Sequence, residues 1–506
     1  MSNHFFDKIR QSAPPAGTLF LTTEAGLSLT YGGLVARSAQ FACALTALGV
    51  KKGDRVAVQT QKAVDCLMLY LACLRAGAVY LPLNIAYTPA EIVYFAGDAE
   101  PRLFVCDPAS RDDLAAALVA MADLRIETLD PDGGGSLQQR ADVADKDFAD
   151  VAVGPDDLAA ILYTSGTTGR SKGAMLTQDN LASNAEALVD TWRFTGDDVL
   201  LHVLPIFHTH GLFVATNTVL LAGASMLFLH RFDLDTALSL FPKATAMMGV
   251  PTHYSRLLSH SDFNRDLVGH MRLFISGSAP LSAETHKAFS ACTGHAILER
   301  YGMTETGMNT SNPYDGERRP GTIGMPLPGV ELRITDPETG AALPEGEIGV
   351  IEVRGPNVFT GYWRNPEKTA EEFRDDGFFI TGDLARIDAE GYVTIVGRDK
   401  DLIITGGFNV YPAEVEAVLD ACPGIAESAV IGVPHPDFGE GVTGIVAAKS
   451  GAQIDEAEIQ ARLAGEIAAF KRPKRIIAVD VLPRNSMGKI QKNDLRDQYR
   501  DLYAAP

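Results

Sequence analysis

The stretch Tyr163-Thr-Ser-Gly-Thr-Thr-Gly-Arg-Ser-Lys-Gly173 gathers more chemistry-capable residues than any other part of the chain. Gly166, Gly169 and Gly173 let the backbone fold tightly and come close to a ligand. Thr164, Ser165, Thr167 and Thr168 add hydroxyl donors, and Lys172 adds a point charge of the kind that meets phosphate. A Ser/Thr/Gly run can be a solvated linker. Here an apolar run, 158–162, feeds into it as a buried strand, and the loop holds no acidic residue. Its composition is that of a polyphosphate cradle. The order is not Gly-x4-Gly-Lys-Ser/Thr, so an ordinary P-loop kinase or GTPase is a poor fit.

Other candidates lie downstream. The segment 201–211 reads Leu-His-Val-Leu-Pro-Ile-Phe-His208-Thr-His210-Gly. Lone histidines beside apolar segments are more often structural than catalytic. The strand at 273–277 runs into Ser276-Gly277-Ser278-Ala279-Pro280, and a further strand precedes Glu299-Arg300-Tyr301-Gly302-Met303-Thr304-Glu305-Thr. A turn holds Thr381-Gly-Asp383. Gly397-Arg398-Asp-Lys400-Asp-Leu-Ile-Ile-Thr-Gly406-Gly407 leads into Tyr-Pro-Ala-Glu414, a helix start with proline in the first turn. Near the end, Pro483-Arg-Asn-Ser-Met-Gly-Lys489 follows a basic cluster at 470–475.

Taken in order, these blocks resemble those of the adenylate-forming enzymes, the family of acyl-CoA synthetases, luciferases and peptide-synthetase adenylation domains. Six blocks fall in family order between 163 and 490. The resemblance implies ATP, Mg²⁺ and coenzyme A as cofactor and co-substrates. It implies catalytic roles for Lys489, Glu305 and His208, with Thr164 and Glu305 toward the metal. A hard oxygen ligand beside a polyphosphate is what Mg²⁺ requires. ATP and AMP would meet residues 164–169, Lys172, Ser278, Ala279, Pro280, Glu299, Arg300, Tyr301, Gly302, Met303, Thr304, Asp383 and Arg398. Coenzyme A would pass Gly406 and Gly407, and Lys400 would be the interdomain hinge.

The acyl pocket implied by the family takes His208, Arg256, Gly277, Ser278 and Met308. Arg256 lies on a helix that opens at Pro251, on a stripe with His253 and His260 and away from the core face of Tyr254, Leu257 and Leu258. A buried arginine needs an anionic partner, and a guanidinium suits a carboxylate bidentately. Arg256 therefore points to an acyl substrate with a second carboxylate. Within the family the chain is similar to malonyl-CoA synthetases, so ligation of malonate, with methylmalonate tolerated, is the expected activity; another short or medium acid is the alternative. Amino-acid adenylation domains carry an Asp in the 207–211 block that is absent here. A non-catalytic binding regulator would lack Lys489 or Glu305, and both are present. As in relatives, Lys489 would be open to an acetyltransferase and a deacetylase, since acetylation deletes its charge.

The elements that must position these residues alternate. Strands at 55–59, 79–83 and 103–106 are separated by helices at 64–75 and from 88, where Thr88-Pro-Ala-Glu91 is a capping sequence. Alternation implies a largely parallel sheet covered on both faces. From 321 short alternating runs and turns read as β-hairpins. The fold expected is α/β: a large N-terminal domain, 1–397, with a β-rich part at 321–397, and a small mobile α+β C-terminal domain, 398–506. The net charge of −20 argues against nucleic acid and requires any site for anionic ATP to concentrate cations locally. Six cysteines without a Cys-x-x-Cys pair suit free thiols in a reducing cytoplasm. The uncharged run 212–229 is broken by Ala-Gly-Ala at 222–224 and is read as core, not as a membrane span.

Overall fold

The computed structural model describes residues 2–164, 171–406, 408–449, 451–485 and 488–504. Two sheets carry the first part of the chain. A six-stranded sheet runs in the order Arg125–Thr128, Leu103–Cys106, Arg55–Gln59, Val79–Pro82, Leu158–Thr164 and Lys172–Thr177. Its pairs are parallel except the last, where Leu158–Thr164 turns back on Lys172–Thr177 through the predicted phosphate loop. A nine-stranded sheet is parallel through its centre and antiparallel at its edges. Apolar side chains from both sheets and from the helices Tyr31–Ala47, Val64–Ala76 and Gln178–Thr191 merge into one core.

Local signals set the helices. Thr88 accepts from the Glu91 N–H while the Glu91 carboxylate accepts from the Thr88 N–H, the expected capping box. Thr177 and Asn180 form a similar pair that starts the helix after the phosphate loop. The run 212–229 folds as a π-helical turn, His210–Thr216, a helix, Asn217–Ala222, and a strand, Ser225–Phe228. It is buried except at Ala222 and Ser225, which are half-buried, and among the described residues no helix is long and apolar enough to cross a membrane.

From 321 onward the expected hairpins form a four-stranded antiparallel sheet, Glu331–Thr335, Gly349–Arg354, Phe379–Ile387 and Val393–Arg398. Glu352 is wholly buried at its centre, where it accepts from Arg333, Arg374 and Thr335. That full set of partners makes its charge tolerable. Beyond the short 3₁₀ turn Asp399–Asp401 lies a five-stranded sheet with its own apolar clusters.

Candidate active site

The site forms where strand ends of the nine-stranded sheet meet the four-stranded sheet and the loop bearing Lys489. Glu305 follows the hairpin strand Leu298–Met303 and is buried. Its carboxylate accepts from Thr164 at 3.4 Å, and the Tyr362 hydroxyl oxygen lies 3.1 Å away. Burial, followed by other influences including nearby Glu372, pushes its pKa up. A magnesium ion would reverse that, and Mg²⁺ commonly binds through one or two carboxylates plus substrate phosphates. Glu305 with Thr164 fits that mode, and among the described residues no three-carboxylate or histidine cluster offers another.

Asp383 and Arg398 are directly paired across the strands Phe379–Ile387 and Val393–Arg398. The Arg398 Nε donates to Asp383 at 2.7 Å and the Tyr301 hydroxyl donates to the other carboxylate oxygen at 2.5 Å. The carboxylate is thus oriented while further lone pairs remain for a diol. Lys489 has solvent access, yet the protein mass around it is the main cause of a lowered pKa, with Arg398 the next and Arg300 also contributing; Asp383 and Glu305 oppose them. His208 feels Lys489 and Arg300 as well. Burial first, then those two cations, take its pKa to about 3, so the ring is neutral. Its Nδ1 accepts from the His210 backbone N–H.

Arg300 is the unexpected member. It is 5% exposed, and among the described residues its Nε and Nη2 have no hydrogen-bond partner. Burial lowers its pKa to about 9. It lies against Gly277, where a Cβ would fall 2.2 Å from the guanidinium carbon. The following residue, Ser278, adopts φ +71° and its hydroxyl meets His210 Nδ1 at 3.1 Å. Met308 is buried nearby in the hairpin strand Gly307–Ser311.

Arg256 is not where the cost of burying a charge would apply. Its residue is exposed, and its guanidinium sits 4.9 Å from the Phe232 ring. His253 of the same stripe stacks on that ring from within, and burial takes its pKa to about 4. The buried guanidinium that faces the predicted acyl site is Arg300. Lys172 is also differently placed than the acid-free loop sequence suggests. It pairs with Glu372 at 3.3 Å and lies over the Tyr362 ring. Tyr362 in turn donates to Glu372 at 2.6 Å. Residues 165–169 and Gly407 lie outside the described residues. Gly406 takes φ +57° at the turn between Ile403–Thr405 and Phe408–Val410, and Lys400 sits in the 3₁₀ turn between the last two sheets.

Two features have no counterpart in the sequence reading. Tyr362 and Glu372 are distant in sequence from Glu305 and Lys172, and no local spacing announces them. Lys62 is also buried, its ammonium bonded to His202 Nδ1 and to the His202 carbonyl, both at 2.9 Å. Accepting at Nδ1 makes His202 donate from Nε2 to the Gly211 carbonyl at 2.9 Å. This chain fixes the segment carrying His208 and His210. Gly211 itself admits no side chain, since a Cβ would lie 2.0 Å from the Pro205 carbonyl oxygen.

Glu299 gives a pH prediction. Burial raises its carboxyl pKa to about 8, against a donated N–H from Gly321. The unfolded value is about 4.3, so the folded protein holds the proton more tightly. The associated stability is full below that value and is lost as pH rises toward 8. Glu299→Gln removes this loss. Its thermal midpoint should therefore gain on the native protein between pH 5 and pH 8, as read by parallel melting curves; a midpoint that falls behind over that range contradicts the assignment.

The chain belongs to the AMP-binding enzyme family. It matches the AMP-binding enzyme over residues 10–363 and the AMP-binding enzyme C-terminal domain over 414–489. A feruloyl-CoA synthase of Amycolatopsis sp is 37% identical, covering 94% of each chain. A mitochondrial malonate–CoA ligase, ACSF3 of Mus musculus, is 36% identical over 93% of this chain and 86% of its own. Among solved structures, ATP-bound MatB from Rhodopseudomonas palustris is 61% identical over 99% of this chain and 100% of its own, with a TM-score of 0.97; the apo form of that protein superimposes at 0.87. The large α/β part with parallel-rich sheets and the smaller C-terminal part are the fold of adenylate-forming enzymes.

Proposed function

We propose that this protein ligates malonate to coenzyme A at the expense of ATP, through malonyl-AMP, releasing AMP and pyrophosphate. The observation that carries the malonate reading is Arg300. A guanidinium buried with two unpartnered nitrogens is costly, and a second carboxylate bound bidentately would offset that cost. The malonate–CoA ligase relative supports the same substrate. A feruloyl ring, the alternative suggested by the other relative, would leave Arg300 buried beside an apolar group.

In the first half-reaction a malonate oxygen attacks the α-phosphorus of ATP, and the bond to pyrophosphate breaks with its electron pair on the leaving group. Negative charge spreads over phosphoryl oxygens, so catalysis is mainly positioning and electrostatic stabilisation. Lys489 and Lys172 supply positive charge, Asp383 and Arg398 hold the ribose, and neutral His208 borders the acyl group without competing for its carboxylate. Mg²⁺ held at Glu305 and Thr164 would supply charge neutralisation on the polyphosphate. In the second half-reaction the thiolate of coenzyme A attacks the acyl carbonyl and AMP leaves.

The two steps need different neighbours. We place the domain boundary at 397/398, the β-rich part at 321–397 and the hinge at Lys400, so that residues 398–506 rotate to withdraw Lys489 and bring Gly406 and Gly407 to the thiol. The closer likeness to the ATP-bound relative than to its apo form supports reading this arrangement as the adenylating one. The six cysteines are all free, which supports a cytoplasmic setting. The exposure of Lys489 supports a regulatory acetyltransferase and deacetylase as partners.

Coenzyme-A-dependent AMP formation measured with acetate, malonate, methylmalonate, succinate, octanoate and ferulate tests the reading. Malonate should give the highest kcat/KM, with methylmalonate next. A preference for ferulate or any monocarboxylate overturns the substrate assignment.

A further inference from the structure

Arg300 is not alone in carrying buried nitrogens without a partner among the described residues. His210 is 2% exposed and, among the described residues, its Nε2 has no hydrogen-bond partner, while Nδ1 is engaged by Ser278. The ring belongs to the same cluster: after burial, Arg300 is the first of the titratable side chains acting on it, with His208, His202 and His253 also close. Burial and those neighbours hold its pKa well below the ordinary value, so it is a neutral imidazole. The neutral ring has two tautomers, and the one in which the Ser278 hydroxyl donates to Nδ1 carries its proton on Nε2. The π-helical turn that begins at His210 and the Lys62–His202–Gly211 chain fix its backbone.

From this geometry we infer that His210 is a specificity-determining residue whose Nε2–H donates to the second carboxylate of the acyl substrate, alongside the Arg300 guanidinium. A carboxylate oxygen can satisfy this donor while the same group accepts from Arg300; an alkyl or aryl group can satisfy neither. Sites built to hydrogen-bond a substrate group reject the analogue lacking it far more strongly than apolar pockets discriminate by size. The inference rests on the dicarboxylate reading above and adds a second recognition element to it. His210 differs from His208 in being fully enclosed.

Two substitutions separate substrate recognition from a structural role through Ser278. His210→Asn places an amide where Nδ1 was, keeping a partner for Ser278 but not reaching the Nε2 position. His210→Gln reaches the Nε2 position with an N–H. Each is assayed for kcat/KM with malonate and with isovalerate, in which an isopropyl group replaces the second carboxylate. The expected result is a malonate loss of about 10–100-fold for Asn with isovalerate unchanged or improved, the scale of one hydrogen bond to a charged group. Gln should restore malonate use to within a few-fold. The inference is overturned if Asn retains the native malonate-to-isovalerate ratio, or if both acids fall together in Asn and Gln alike. A native enzyme that does not prefer malonate would instead sink the dicarboxylate reading itself; native preference with an unchanged Asn ratio sinks only the role of His210.

Discussion

Lys489→Ala should stop acyl-AMP formation while sparing thioester formation from supplied malonyl-AMP. The argument is one of place and time. Lys489 lies within electrostatic reach of Arg398, Asp383, Glu305 and Arg300, and in the proposed mechanism charge develops beside it on the phosphoryl oxygens. Loss of one preorganised donor at such a place costs about 10²–10³ in rate. The second half-reaction develops its charge on the acyl carbonyl and on AMP, so under the proposed rotation it would proceed without Lys489. ATP–pyrophosphate exchange should thus fall by that factor, and single-turnover thioester formation should stay within a few-fold of native. An equal loss in both assays would defeat the division of labour.

Arg300→Met should lose malonate and keep the protein intact. Truncating one partner of a buried, hydrogen-bonded charge pair costs about 2–5 kcal/mol, or about 30- to 4,000-fold in kcat/KM for malonate. In the free enzyme the same guanidinium is buried with two unpartnered nitrogens, and replacing an uncompensated buried charge by an apolar side chain tends to stabilise. The thermal midpoint should accordingly hold or rise as malonate use collapses. A drop in both would make Arg300 a structural residue. Arg256→Ala is the useful comparison, because its exposed guanidinium over Phe232 predicts the smaller effect.

How much of this was legible in the sequence depends on range. The capping box at Thr88, the helix starting after Thr177 and the hairpins beyond 321 are local, and each formed as its residues dictate. The motif blocks were legible as an ordered set, because glycine-rich turns and their flanking strands leave compositional traces. Convergence between blocks leaves none. Spacing can place Arg256 on a helix stripe, but it cannot say that the stripe ends at Phe232 on the outside while Arg300, read as a nucleotide contact, lies across Gly277 on the inside. Nor can an acid-free loop reveal that Glu372 folds back to meet Lys172. His208 and His210 sit two residues apart, and only packing shows which ring nitrogen is left over.

The close fit of Arg300 over Gly277 has an evolutionary consequence. Any side chain at 277 would collide with the guanidinium at 2.2 Å, so a mutation there displaces Arg300 before it can shape a new pocket. A mutation at 300 alone leaves the space beside the glycine unfilled. The two positions are therefore epistatic, and a lineage moving from a dicarboxylate to a bulkier or apolar acid must change both. Its first step is disadvantageous in either order, which makes the present specificity hard to leave by single substitutions.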